Sequence, residues 1–157
     1  MPKRVAAKPE VRELTLPTEK NEPKVGLSDF RWMLHGFPKS GKTTTASYFP
    51  NSIFLACEEG LNAVECYSRS INNWEEYGQM VELLVEEDHD FDTVIIDTMD
   101  LLYEYLKDRV AEENSVEHIN ELGFGAGYDE ANRRLHRSLE DLYHSGLGVV
   151  IICHSRY

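Results

Sequence analysis

The sequence predicts an α/β fold, a mainly parallel sheet flanked by helices, and three observations predict it. Gly36-Phe37-Pro38-Lys39-Ser40-Gly41-Lys42-Thr43 completes the pattern G-x-x-x-x-G-K-[ST] between an apolar run and a helical stretch. Short continuous apolar runs end in Cys57, Asp97 and Cys153, with the length of strands buried on both faces. Amphipathic helical stretches alternate with these runs, the order that builds parallel sheets.

A chain of 157 residues is long enough for one domain with a sizeable core. Its 41% hydrophobic and 28% charged residues are ordinary for a globular protein. Residues 1–28 hold four prolines among lysines and glutamates and read as a disordered tail, which leaves 29–157 as the folded core. Met1-Pro2-Lys3-Arg4-Val5 opens no apolar leader, and the longest apolar run is too short to span a membrane. Cys57, Cys66 and Cys153 are odd in number and lack C-x-x-C spacing, which points to neither a disulfide framework nor zinc, and to a reducing cytoplasm. The net charge of −12 argues against coating nucleic acid by bulk electrostatics.

The apolar, aromatic run Phe30 to His35 predicts the strand that enters the loop, and Lys42 to Phe49 predicts the helix that leaves it, ended by Pro50. Phosphate needs closely spaced backbone N–H donors, and Gly36 and Gly41 let the chain wrap where a Cβ would obstruct it. Phe37, Pro38, Lys39, Ser40 and Thr44 complete the expected nucleotide cradle. Lys42 reaches β- and γ-phosphate oxygens as a mobile charge, and the Thr43 hydroxyl suits the shell of Mg2+. The buried run Ser52 to Cys57 then delivers Glu58 to the carboxyl edge of a strand expected beside the phosphate strand. A carboxylate there suits the orientation or deprotonation of a water attacking the γ-phosphate, against the blander reading of a solvated Glu58-Glu59-Gly60 turn.

Asn73 to Glu87 spaces Trp74, Tyr77, Val81, Leu84 and Val85 along one face of a covering helix. The acidic turn Glu87-Asp88-His89-Asp90 follows, read as a solvated loop rather than a metal site. Phe91 to Thr98 is the second motif: Val94, Ile95 and Ile96 drive Asp97 to the end of a buried strand, the Walker B pattern, where a carboxylate holds Mg2+ through its water shell. Asp100 reads as the cap of a helix over Leu101 to Glu113, with Leu102, Tyr105, Leu106 and Val110 on one face.

The loop of Gly123, Phe124, Gly125, Gly127 and Tyr128 carries two readings: a mobile platform stacking its aromatics on unpaired bases, or a connector whose aromatics dock on the core. Asp129 to His144 predicts an amphipathic helix with Arg133, Arg134 and Arg137 outward, ended by Gly146. Gly148 to Cys153 is the last buried strand and carries His154 to the edge shared by Glu58 and Asp97, where it can hydrogen-bond a γ-phosphate. A sheet ending on this strand suggests a truncated core.

Phosphate strand, strand with terminal Glu, Walker B strand and strand with a polar sensor follow one another in an order that resembles the RecA-like branch of P-loop ATPases. The nearer likeness is to phage and prophage RecA-like ATP-binding proteins of single-strand annealing and recombination. It rests on Gly36 to Thr43, Phe54 to Glu58, Val94 to Thr98, Gly123 to Tyr128 with Ala131 to Arg134, and Ile151 to Ser155. The resemblance implies MgATP on Lys42 and Thr43, a water-activating Glu58, a Walker B Asp97 and a sensor His154. It also implies a first DNA loop at Gly123 to Tyr128, single-stranded DNA as a partner, a homo-oligomer in the longer protein, and the cytoplasm of a bacterial host. Two departures accompany it: the loop holds no Lys or Arg, and the region beyond the sensor strand is missing. Arg156 is an arginine-finger candidate by position alone. Two other readings stay open, a small-molecule or nucleotide kinase and a nucleotide-gated binding module with little turnover.

Overall fold

A computed structural model describes residues 16–155. The first part of the expected tail, residues 1–15, and Arg156 lie outside the described residues. Residues 16–25 carry no helix or strand and are exposed. The ordered elements are β1 (Arg31–Gly36), α1 (Lys42–Ala46), β2 (Ser52–Ala56), β3 (Tyr67–Ser70), α2 (Trp74–Glu86), β4 (Thr93–Asp97), α3 (Met99–Glu113), α4 (Ala126–His144) and β5 (Gly148–His154).

The five strands form one sheet in the order β1-β5-β4-β2-β3, and every pairing is parallel. The register aligns their carboxyl ends: Gly36 stands opposite His154, Asp97 opposite Ile152, and Ala56 opposite Asp97. The phosphate loop, Glu58, Asp97 and His154 therefore leave the sheet at one edge. The strand order departs from the sequence expectation at one point. The strand carrying Glu58 is not beside the phosphate strand, because β5 and β4 lie between β2 and β1.

The central strands β2 and β4 are buried throughout, as continuous apolar runs require when both faces are covered. On one face Ile53, Leu55, Val94, Ile96 and Val149 pack against Tyr77, Val81 and Leu84 of α2, Leu102 of α3 and Leu142 of α4. On the other, Phe54, Ile95, Val150 and Ile152 meet Ala46 and Phe49, with Trp32 and Leu34 at the margin. Each such side chain contributes roughly 1.5–3 kcal/mol on full burial.

Local chemistry sets the helix ends. Asn73 caps α2 by accepting the Glu76 N–H at 2.8 Å, and the Glu76 carboxylate accepts the Asn72 N–H at 2.8 Å. His89 accepts the Phe91 N–H on Nδ1, so its Nε2–H donates to the Leu84 carbonyl at 2.8 Å and ties off the end of the same helix. That use of both ring nitrogens makes the acidic turn structural. Val85, expected inward, is 42% exposed, since the buried stripe runs through Tyr77, Val81 and Leu84. Regular helix in α1 stops at Ala46, short of the expected Phe49. The run Thr43-Thr44-Thr45 has low helix propensity, and the chain tightens into i→i+3 bonds from Tyr48 to Thr45 and Phe49 to Ala46 before Pro50.

Candidate nucleotide site at the carboxyl edge of the sheet

The loop between β1 and α1 turns on Gly41, whose φ of 85° lies in the left-handed region that a side chain disfavours. Lys42 opens α1, and its Nζ donates to the carbonyls of Gly36 and Phe37 at 3.0 and 2.8 Å. Its charge is thereby held inside the loop. Because α1 has only five residues, its dipole is small, and the anion-binding power of the loop rests on Lys42 and the backbone N–H groups. Lys39, Ser40 and Thr44 are exposed around it.

Thr43 and Asp97 meet across the edge: the Thr43 hydroxyl donates to Asp97 Oδ2 at 2.8 Å. Asp97 is 4% exposed, and its other oxygen, Oδ1, has no hydrogen-bond partner. Burial pushes its carboxyl above the usual carboxylate range, opposed by the Thr43 hydrogen bond and by the fields of His154 and Lys42. A buried carboxylate oxygen with an open lone pair beside a threonine hydroxyl is the hard-oxygen environment that suits Mg2+. Among the described residues no three His, Cys, Asp or Glu side chains gather to hold a metal by themselves. Mg2+ commonly takes one or two protein oxygens and completes its shell with phosphate and water, so the residues present fit it.

Glu58 and His154 form the second half of the edge. His154 Nε2 lies 3.7 Å from Glu58 Oε1, with both side chains about one third exposed or less. Burial raises the Glu58 carboxyl above its ordinary value, the His154 ring opposes that rise, and Asp97 adds to it. The main chain of His154 is fixed too, because its N–H donates to Asp100 Oδ2 at 2.7 Å. Asp100 was expected to cap α3; Thr98 holds the N-cap position, and Asp100 instead reaches across to β5. Beneath the site, the Tyr105 hydroxyl donates to the Cys57 carbonyl at 3.3 Å. The buried Cys57 thiol is pushed up to about 12 by burial and by the charges of Asp97 and Glu58, so it stays protonated. Sequence assigned Asp100 a capping role and Tyr105 a place on the α3 face, and foresaw neither contact with the strand ends. The spacing of Asp100 three residues past Asp97 was visible, but its partner was not.

The glycine loop is separate in its contacts. Gly123–Gly125 forms a 3-10 turn in which Phe124 takes a left-handed φ of 56° and is wholly exposed. Tyr128 is 38% exposed beside Glu104 and Lys107. Phe124 is therefore not docked on the core, which removes that half of the connector reading. Arg133 and Arg134 pair with Glu130 within α4, and Arg134 also bridges to Glu113 of α3, so Arg134 serves helix packing while Arg133 stays on the exposed face.

A parallel sheet whose first strand runs into a phosphate loop, with a buried aspartate at the end of a central strand, defines the P-loop ATPase class. The chain belongs to the AAA domain family, whose match covers residues 28–157. It is also 25% identical over 128 residues to the SPbeta prophage-derived uncharacterized protein YorG of Bacillus subtilis (strain 168), an alignment covering 78% of this chain. The chain spans 40% of the length of that curated relative. No helix among the described residues is long and apolar enough to cross a membrane.

Proposed function

We propose that the chain is the nucleotide core of a RecA-like, Mg2+-dependent ATPase acting in phage-type DNA recombination or single-strand annealing. The observation that carries the hydrolytic reading is the placement of Glu58, a raised carboxylate 3.7 Å from His154 on the same sheet edge as Lys42, Thr43 and Asp97. Lys42 exchanges its two loop carbonyls for β- and γ-phosphate oxygens. Thr43 and Asp97 hold Mg2+, which when bound neutralises charge on those oxygens. Glu58 orients the attacking water and accepts its proton, and the His154 ring faces the γ-phosphate from β5. Lys42 and His154 are the basic groups whose fields act on Glu58 and Asp97; Arg156, outside the described residues, and a neighbouring subunit are the candidate sources of an arginine finger.

The DNA half of the proposal is supported by the exposed Phe124 and by the prophage source of the relative. Phe124 and Tyr128 offer stacking faces, each worth about 1–3 kcal/mol per base where such platforms operate. The test is MgATP hydrolysis with and without single-stranded DNA at one low, fixed salt concentration, with Lys42→Ala as the blank. Stimulation by DNA that vanishes in Lys42→Ala and weakens in Phe124→Ala is expected. Nucleotide binding with hydrolysis indifferent to DNA would overturn the DNA role, and phosphoryl transfer to a small acceptor faster than hydrolysis would restore the kinase reading.

A further inference from the structure

Strand β5 outruns its neighbour β4. The last β4–β5 pair is Asp97 with Ile152, yet β5 continues to His154, where its far side still pairs with Gly36 of β1. On the β4 side no strand is left to receive the His154 N–H, and an unpaired amide there would carry the cost of a lost hydrogen bond. A side chain replaces the missing strand: Asp100 Oδ2 accepts that N–H at 2.7 Å from the first turn of α3. A carboxylate accepting from a backbone N–H makes a short, charge-assisted bond, stronger than the amide–carbonyl bond it replaces. Because Asp100 is the second residue of α3, which follows β4 with only Thr98 between, the bond ties the Walker B strand to the sensor strand. Its position is also specific, for it grips the one residue of β5 whose ring faces Glu58.

We infer that Asp100 is a positioning residue that fixes His154 against Glu58, and so keeps the water-orienting carboxylate in register with the phosphate loop. The inference rests on the hydrolytic reading above. Asp100 itself touches neither nucleotide nor water; it acts through His154.

The experiment compares wild type, Asp100→Ala, Asp100→Asn, His154→Ala and the double variant Asp100→Ala/His154→Ala. Each is measured for MgATP turnover and for equilibrium binding of Mg–ATPγS. Asp100→Ala is expected to lower kcat roughly tenfold to a hundredfold, the scale of a misplacement near one ångström. Binding of Mg–ATPγS should change no more than about twofold, since ground-state contacts are untouched. Asp100→Asn keeps an acceptor oxygen and should recover most of kcat. In the His154→Ala background the Asp100→Ala change should cost nothing further. Equal kcat in Asp100→Ala and wild type, or losses that simply multiply in the double variant, would overturn the inference.

A second arm needs no turnover. The His154 ring resonances are compared by NMR with and without Glu58→Gln, and the chemical-shift perturbation that Glu58→Gln produces through the 3.7 Å contact should be present in the Asp100-containing chain and absent from Asp100→Ala. In the wild type itself the His154 amide should exchange slowly with solvent. Fast exchange there, or an undiminished Glu58→Gln shift in Asp100→Ala, would overturn the clamp even if that variant's folding were impaired. If the wild type hydrolyses no faster than Lys42→Ala, the hydrolytic reading fails, while the NMR arm still decides whether Asp100 holds His154 against Glu58.

Discussion

Asp97 occupies a place that costs the fold stability and leaves a carboxylate oxygen open at the strand end. It is almost wholly buried, one oxygen is matched by Thr43, and the other is unmatched. Its folded-state value is raised above the unfolded one, so the native state binds the proton more tightly. Stability therefore falls as pH rises through the window that opens at the ordinary carboxylate value and closes at the raised folded-state value. Asp97→Asn, which keeps an acceptor for Thr43, should unfold later than wild type at pH 7 without nucleotide, by on the order of 1 kcal/mol. Urea titrations should show the difference shrinking as pH is lowered through the carboxylate range. A variant less stable than wild type at pH 7 would contradict this account. The meeting of Lys42, Thr43 and Asp97 at one edge was legible in the sequence because motif spacing dictates it. Asp100 was not, because an aspartate just after a strand and before a helix has the local signature of a cap, and only the overhang of β5 gives it another partner.

At the scale of elements, legibility followed apolar content. The strands β2, β4 and β5 declared themselves as buried runs, whereas β3 did not, since Tyr67-Ser68-Arg69-Ser70 is exposed at every position and owes its conformation to pairing with β2. The junction before α4 shows how packing overrides propensity. Gly127 lies within α4, where alanine would favour the helix by about 1 kcal/mol. A Cβ there would stand 2.4 Å from Ile119 Cγ1 and 2.8 Å from the Ile119 carbonyl oxygen, which is backbone and cannot swing away. Gly127→Ala should therefore destabilise the chain by about 1–3 kcal/mol in urea unfolding, the scale of overpacking. A stabilised Gly127→Ala would mean that the segment 119–127 yields easily and that propensity wins. Phe124, at the exposed tip of the same segment, had two readings from sequence because periodicity says nothing about where an aromatic between two glycines points.

At the scale of the whole molecule, the strand order decides what the site can be. Sequence order alone suggested that the Glu58 strand neighbours the phosphate strand; the sheet instead inserts β5 and β4 between them, and it is β5 that brings His154 into the gap. Parallel register then aligns the ends of β1, β2, β4 and β5 without any long-range motif in the sequence to announce it. Three helices cover one face of this sheet and the short α1 the other, so Asp97 ends a strand packed on both faces, and the phosphate loop and Glu58 sit in the turns that leave β1 and β2. The claim that this edge hydrolyses ATP through Glu58 is tested most directly by Glu58→Gln, assayed for Mg–ATP binding and for turnover on one preparation. The account predicts binding within about twofold of wild type and turnover reduced by at least about a hundredfold, the contribution typical of a positioned general base. Turnover equal to wild type with binding intact would contradict it.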